Sequence, residues 1–352
     1  MPFTLALGVS MTVNLKPALF QCLLAIFCAV SFGVAQAQSA NDCRPPPADV
    51  ARLIEIRSGF HYVDGVLAEF DPCHSSVRLS MPSFWSKKLG DKPALVIIAH
   101  GGGGPGGAEL EMVRRLNAEG VATLLFDAYE MNGFRYKGTM LFVLGVTNES
   151  RQRMIFKATL GAYQWALTQS QIDTTRIYVN GLSNGGSVAL NMAAVVDPKH
   201  VRMVFAEGAP STGIGMPDEI KVPLKLIFGR LDNYGGKTAD DWMFSRTDPC
   251  FLNRPSDLAA AGTALRCNPR ANRDAATIST QAWGEGLASK GFPVSFWYYE
   301  DAAHGLLAGR LNREMRVYGT GPTAMTRYGW TGASPDAANQ FIKDIMAEIR
   351  SH

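Results

Sequence analysis

The sequence predicts an α/β fold: a mostly parallel, doubly wound sheet with helices on both faces. Three observations carry that expectation. From Ala94 onward, short apolar runs alternate with longer amphipathic ones, the pattern of repeated β-α units. The short runs are almost continuously apolar rather than alternating, as strands buried on both faces are. No internal repeat and no low-complexity linker interrupts the pattern, so residues 38–352 read as a single domain.

The elements follow in order. Ala51–Arg57 and Ser76–Met81 read as antiparallel edge strands leading into the sheet. The parallel strands are expected at Ala94–Ala99, Val121–Phe126, Arg176–Asn180, Val201–Ala206, Leu224–Phe228 and Val294–Tyr299. Helices are expected between them at Ala108–Glu119, Arg151–Gln169, Gly185–Val196 and Thr277–Lys290. A last helix within Asp336–Arg350 has Ser334 at its N-cap and Pro335 at its first position. Phe341, Ile342, Ile345 and Ile349 fall on one stripe of it, the face that should meet the core. Two stretches stand outside the repeat. Residues 234–272 form a long insertion rich in Pro, Asp, Asn and Arg, and Gly305–Ala333 forms a second long loop. Loops of this length are either lids and binding walls or plain surface excursions.

With 352 residues, 47% of them hydrophobic and 18% charged, the chain has the composition of an enzyme-sized globular protein. A net charge of +3 with no Lys/Arg run gives no footprint for nucleic acid. The N-terminus reads as a signal peptide over residues 1–37, with Met1 or Met11 as the start. Lys16 precedes the apolar run Pro17–Val34, and Ala35-Gln36-Ala37 offers a small-x-small cleavage site. The other reading of this segment is an uncleaved membrane anchor, although its apolar stretch is short for a span of about 20 residues. On the first reading the protein is secreted or periplasmic, begins at Gln38 and has no membrane segment after cleavage. That leaves Cys43, Cys73, Cys250 and Cys267, an even number that suits an oxidising compartment. Four cysteines allow three pairings, the sequence-local one being Cys43–Cys73 and Cys250–Cys267. Zinc is the rival use of these cysteines, but no CxxC spacing or adjacent His cluster supports it, and no metal is expected.

The chemistry concentrates at Gly181-Leu182-Ser183-Asn184-Gly185, which fits G-x-S-x-G. The pattern gains meaning from its setting, directly after an apolar strand and at the start of a small-residue helix. Gly on both sides lets such a turn close, and the serine hydroxyl then stands clear of the sheet at the positive end of a helix. An ordinary Gly-rich turn is the bland alternative.

A serine hydroxyl needs a base. Of the six histidines, His61 and His74 precede the sheet, His200 enters a strand and His352 is the last residue. His100 belongs to the glycine loop described next and is expected to brace it through a ring hydrogen bond. His304 follows the exit end of the last strand, where sites of open α/β sheets gather. The third group should be a carboxylate between Ser and His in the chain. Asp232, ending Leu224–Asp232, is the choice, and Glu207, ending the preceding strand, is the alternative. The oxyanion needs two backbone donors. One is expected from Asn184 and the other from the loop after His100, at Gly101, Gly102 or Gly103. That loop lacks the marks of a phosphate or dinucleotide site.

With those residues in view, the sequence resembles the dienelactone hydrolase family of α/β-hydrolases, from about Pro93 to Ile349. Arg114–Asp127 resembles the family's helix-and-strand segment, Asp173–Gly186 its nucleophile segment, Lys221–Asp232 its acid segment and Tyr299–Gly305 its histidine segment. The resemblance implies an α/β-hydrolase fold and the same Ser183, Asp232, His304 triad. The founding enzymes carry Cys where this chain has Ser183, and the glycines after His100 look more like an esterase loop. The insertion at 234–272 and the signal peptide also lie outside the core pattern.

The expected function is hydrolysis of a small-molecule carboxylic ester through an acyl-enzyme on Ser183, without a cofactor. An amidase or peptidase would use the same residues, and a non-catalytic binding protein on the same fold is the contrasting class. Tyr129, Met131, Tyr234, Trp242 and Phe244 are candidates for a pocket wall or, equally, for packing beneath the long loops.

Overall fold

The structure is a computed structural model, and it describes residues 70–83, 92–132, 148–211, 213–232, 280–318 and 325–352. The chain divides into Met1–Cys43 and Arg44–His352, and every described residue lies in the second unit. The proposed signal peptide, the expected strand at Ala51–Arg57 and the insertion at 234–272 lie outside the described residues, as do Cys43, Cys250 and Cys267. Cys73 is exposed. Among the described residues no helix is long and apolar enough to cross a membrane.

Seven strands form one sheet among the described residues. They are β1 (Arg78–Ser80), β2 (Leu95–Ala99), β3 (Ala122–Leu125), β4 (Ile177–Leu182), β5 (Val201–Glu207), β6 (Leu224–Gly229) and β7 (Val294–Tyr299). Their spatial order is β1-β3-β2-β4-β5-β6-β7. Only β1 runs antiparallel, against β3 at one edge; the other pairs are parallel. The six predicted parallel strands are all present, each within two residues of its expected ends. The helices are α1 (Gly107–Ala118), α2 (Ala128–Met131), α3 (Asn148–Ala166), α4 (Asn184–Val195), α5 (Thr280–Ser289) and α6 (Pro335–Ser351).

The continuous apolar strands serve two cores at once. In β2, Leu95, Ile97 and Ala99 join one core, with Ile155 and Phe156 of α3, Val188 and Leu190 of α4, and Trp283 and Leu287 of α5. Val96 and Ile98 join the other, with Met112 and Leu116 of α1 and Phe341, Ile345 and Ile349 of α6. Successive side chains point to opposite faces, so a strand covered on both faces has no polar position to spare. This is the α/β-hydrolase fold, read here from strand order and direction.

Gly305–Ala333, expected as a long loop, carries regular structure. It builds an antiparallel hairpin of β8 (Asn312–Tyr318) and β9 (Met325–Thr331), registered from Asn312↔Thr331 to Tyr318↔Met325. Polar residues such as Asn312, Arg313, Glu314 and Arg327 interrupt both strands, so a search for continuously apolar runs passes over them.

The chain order switches at the centre of the sheet. From β2 the chain moves outward to β3, then crosses back to β4 on the other side of β2. Such a switch leaves a crevice at the carboxyl ends of the two central strands. Here it opens between the loop after Ala99 and the turn after Leu182, which are level because Ala99 pairs with Gly181.

The last helix gives a measurable check on this packing. Ser334 accepts a hydrogen bond from the Ala337 N–H at 3.2 Å, and Phe341 is fully buried. Replacing Phe341 by Ala should cost about 3–5 kcal/mol in denaturant unfolding, whereas Ser334→Ala should cost about 1 kcal/mol. A Phe341→Ala loss below about 1 kcal/mol would mean that α6 does not seal the second core.

Candidate active site

Ser183 sits between β4 and α4 with φ 57° and ψ −117° and does not cap its own helix with its side chain. Among the described non-glycine residues it alone has positive φ. That strained conformation is held by contacts no side chain would permit. A Cβ on Gly181 would lie 1.9 Å from the Gly185 carbonyl oxygen, and one on Gly185 would lie 2.1 Å from the Ala99 oxygen. A Cβ on Gly186 would come 2.7 Å from the Glu207 oxygen. The glycines therefore let α4 start directly against β2 and β5, and the Ser183 N–H donates to the Glu207 carbonyl at 2.9 Å.

His304 is buried, and its Nδ1 lies 3.0 Å from Asp232 Oδ2, itself 1% exposed. Asp232, not Glu207, is thus the carboxylate on the histidine. Two devices bring their segments together. The backbone N–H groups of Arg230 and Leu231 donate to the carbonyls of Tyr299 and Ala302, each at 2.9 Å. Gly229 lets them close, since a Cβ there would lie 2.6 Å from both the Ala302 and Ala303 oxygens. The far side of His304 is held by β9: its N–H donates to Trp330 O at 3.2 Å and its carbonyl accepts from Gly332 N–H at 3.0 Å. Sequence reasoning found His304 from the strand before it and missed the hairpin that fixes its backbone.

Gly208 fits under this pair. Its φ is +52°, and a Cβ would come 3.1 Å from His304 Nδ1 and 3.2 Å from Asp232 Oδ2. Both left-handed backbone and close approach require glycine here.

Three other described histidines, His74, His100 and His200, have structural partners. His100 accepts from the Ala128 N–H at Nε2 (3.1 Å), so its Nδ1–H donates to the Gly101 carbonyl at 2.7 Å. Both ring nitrogens are committed, and the ring braces the loop as expected. His200 Nδ1 lies 2.9 Å from Thr174 O, and His74 Nδ1 lies 2.8 Å from Ser76 Oγ.

The glycine loop after β2 is held more firmly than its composition suggests. Buried Glu109, in the first turn of α1, accepts from Gly101 N–H at 3.0 Å and Gly106 N–H at 2.9 Å. The expected loop donor, at Gly101, Gly102 or Gly103, therefore narrows to Gly102 or Gly103, because the Gly101 N–H is taken. Gly102 faces the nucleophile turn: a Cβ there would lie 2.9 Å from Asn184 Nδ2 and 3.6 Å from Arg151 Nη1. Asn184 is buried, and its Oδ1 accepts from Gln152 Nε2 at 3.2 Å. A Cβ on Gly103 would meet nothing within 4 Å.

Tyr129, a candidate for pocket wall or packing, is packing: it is fully buried, lies edge-on against His100 with ring centroids 4.9 Å apart and donates its hydroxyl to Gly102 O at 3.2 Å. It supports the loop from beneath, and burial pushes its phenol well above the usual range. Met131 packs against the first core, and Tyr234, Trp242 and Phe244 lie outside the described residues. Glu109 left one trace in the sequence, its place three residues after Gly106 at a helix start, the spacing from which a carboxylate reaches back to the N-cap amide. Among the described residues no group of three or more His, Cys, Asp or Glu could hold a metal ion.

Glu207 is the second carboxyl of the site. It is 3% exposed, and burial pushes its pKa up to about 7, against the pull of the Leu306 N–H and His304; Glu109 and Asp232 add to the rise.

Two predictions follow from this geometry. Gly208→Ala should lower turnover roughly 10- to 100-fold by displacing the His304–Asp232 pair, and a turnover within twofold of the unaltered protein would show that the pair tolerates the methyl group. The second concerns pH. A carboxyl with its folded pKa raised binds more protons folded than unfolded, so its stabilising contribution is complete below about 4.5 and lost as pH rises through about 7. Glu207→Gln should therefore gain stability relative to the unaltered protein between pH 5 and pH 8 in thermal melts. A difference independent of pH would contradict the raised pKa.

Comparison with known proteins points the same way. Residues 83–245 match the sequence model of the dienelactone hydrolase family, a span that holds Ser183 and Asp232 and ends before His304. No curated protein matches the chain. Among solved structures, a Klebsiella pneumoniae protein assigned as a dienelactone hydrolase shares 14% identity, with 78% of this chain and 99% of that chain covered and a TM-score of 0.47. A dienelactone hydrolase from Anabaena variabilis shares 16%, over 77% and 88% of the two chains, with a TM-score of 0.42. Est1E from Butyrivibrio proteoclasticus shares 14%, over 78% and 94%, with a TM-score of 0.40. At these values the neighbours carry no argument about function, and the fold rests on the strand order above. Over residues 83–245 the chain carries the sequence pattern of the dienelactone hydrolase family, set on an α/β-hydrolase fold.

Proposed function

We propose that this protein is a serine hydrolase that cleaves a small-molecule carboxylic ester through an acyl-enzyme. The observation that carries the reading is the buried His304 Nδ1–Asp232 Oδ2 contact of 3.0 Å, in a chain that also holds Ser183 in a strained strand-to-helix turn. Asp232 holds the proton on Nδ1, which makes Nε2 the basic nitrogen. His304 Nε2 takes the Ser183 hydroxyl proton as Oγ adds to the ester carbonyl. The oxyanion is received by the Asn184 N–H at the start of α4 and by the Gly102 N–H. Collapse expels the alcohol, which leaves with the proton from His304. Water then attacks the acyl-serine with His304 again as base, releasing the acid and restoring Ser183. No step calls for a cofactor or a metal.

Replacement of Cys by Ser at the nucleophile supports a base-dependent reading. A serine hydroxyl gains nothing from thiolate character and depends on its imidazole neighbour. We also propose that the protein is exported, on the strength of the charged, apolar and small-residue succession in residues 1–37.

Ser183→Ala is the test. Against short p-nitrophenyl esters its turnover should fall by at least about 10⁴-fold, with the fold retained. Equal activity in the two proteins would remove Ser183 from the mechanism. Turnover of a peptide anilide with none of the esters would replace the esterase by an amidase.

A further inference from the structure

Glu207 has no role in the chemistry just described, although it lies among the groups that perform it. It ends β5 level with Leu182, the residue before the nucleophile. Its backbone carbonyl accepts the Ser183 N–H at 2.9 Å, and α4 begins so close above it that Gly186 has no room for a Cβ. Its side chain turns the other way: Oε1 accepts the N–H of Leu306, two residues beyond His304. One residue thus holds the segment of the nucleophile and the segment of the base. A buried carboxylate is expensive to keep unless it is paired, and an apolar side chain would fill this strand end at lower cost.

We propose that Glu207 is a positioning residue that sets the spacing of Ser183 and His304, holding the nucleophile turn by its carbonyl and the histidine segment by its carboxylate. The inference rests on the serine-hydrolase reading above. The groups facing its carboxyl are His304 after β7, Asp232 after β6 and Glu109 on α1. Asp232 grips the imidazole directly, so Glu207 acts through the backbone of the loop and through its charge. Two carboxylates thereby serve one histidine from different sides. Asp232 fixes the ring, and Glu207 fixes the loop that carries it.

The experiment compares kcat and KM for a p-nitrophenyl ester across pH in the full-length protein and in Ser183→Ala, Glu207→Ala and Glu207→Gln. Glu207→Ala removes the acceptor for Leu306, so kcat should fall about tenfold or more with KM held within about twofold, as for a misplaced catalytic group. Glu207→Gln keeps an acceptor oxygen and should restore most of kcat. It also cannot ionise. In the unaltered protein Glu207 loses its proton near pH 7 and its charge then favours the imidazolium of His304, so the rise of kcat with pH should reach its plateau earlier in Glu207→Gln than in the unaltered protein. A merely structural role would give two profiles of the same shape. Unaltered kinetics in Glu207→Ala would overturn the inference, as would profiles of one shape in Glu207→Gln and the unaltered protein. If Glu207→Ala fails to fold, the shape of the Glu207→Gln profile decides alone, an earlier plateau supporting the inference and an identical shape overturning it. If the unaltered protein shows no Ser183-dependent ester hydrolysis, the serine-hydrolase reading falls and takes this inference with it. Hydrolysis that survives alongside unaltered Glu207 variants removes the inference only.

Discussion

Everything at the site depends on a steric constraint: α4 must begin in backbone contact with its neighbouring strands. Gly185 lies where a Cβ would be 2.1 Å from Ala99 O, and Gly181 where it would be 1.9 Å from Gly185 O. That closeness forces Ser183 into φ 57° and leaves its hydroxyl at the head of the helix rather than capping it. It also sets Asn184 beside the glycine loop, where a Cβ on Gly102 would lie 2.9 Å from Asn184 Nδ2. The strain is local, and the two cores on either face of the sheet hold it in place.

Around that turn, the remaining parts arrive at the carboxyl ends of successive strands. The loop after β2 is fixed by His100, Glu109 and Tyr129, the turn after β6 supplies Asp232 and the turn after β7 supplies His304. Each is pinned by backbone hydrogen bonds or by a glycine that admits a carbonyl, so the groups are preorganised rather than gathered on binding. Preorganisation of this kind is where most electrostatic catalysis resides, because donors and charges need not reorient as the oxyanion forms. The expense falls on Glu207, whose burial disfavours its charged form. In our reading the site accepts that cost because a single residue then ties base to nucleophile.

The sequence was informative where one physical rule acted alone. Buried parallel strands have few polar positions, so Ala94–Ala99 and Val201–Ala206 could be recognised from composition. The cap at Ser334 and the stripe through Phe341 and Ile349 marked α6 for the same reason. Ser183 and His304 were legible because each follows a recognisable strand. The hairpin of β8 and β9 was not, since mixed polar strands resemble loops until their pairing is known. Nor could spacing reveal that Glu109 occupies the Gly101 amide, that Tyr129 lies beneath the loop, or that Glu207 reaches Leu306 rather than His304. Those contacts join residues far apart in the chain, and the choice between Asp232 and Glu207 turned on side-chain direction.

The central claim is that Ser183 forms the covalent intermediate. It is tested most directly by treating the protein with a fluorophosphonate and locating the adduct by peptide mass mapping. The account predicts one stoichiometric adduct, on the tryptic peptide Ile177–Lys199, assigned to Ser183 by fragmentation. An adduct confined to another residue, or ester hydrolysis that continues undiminished with Ser183 fully modified, would contradict it.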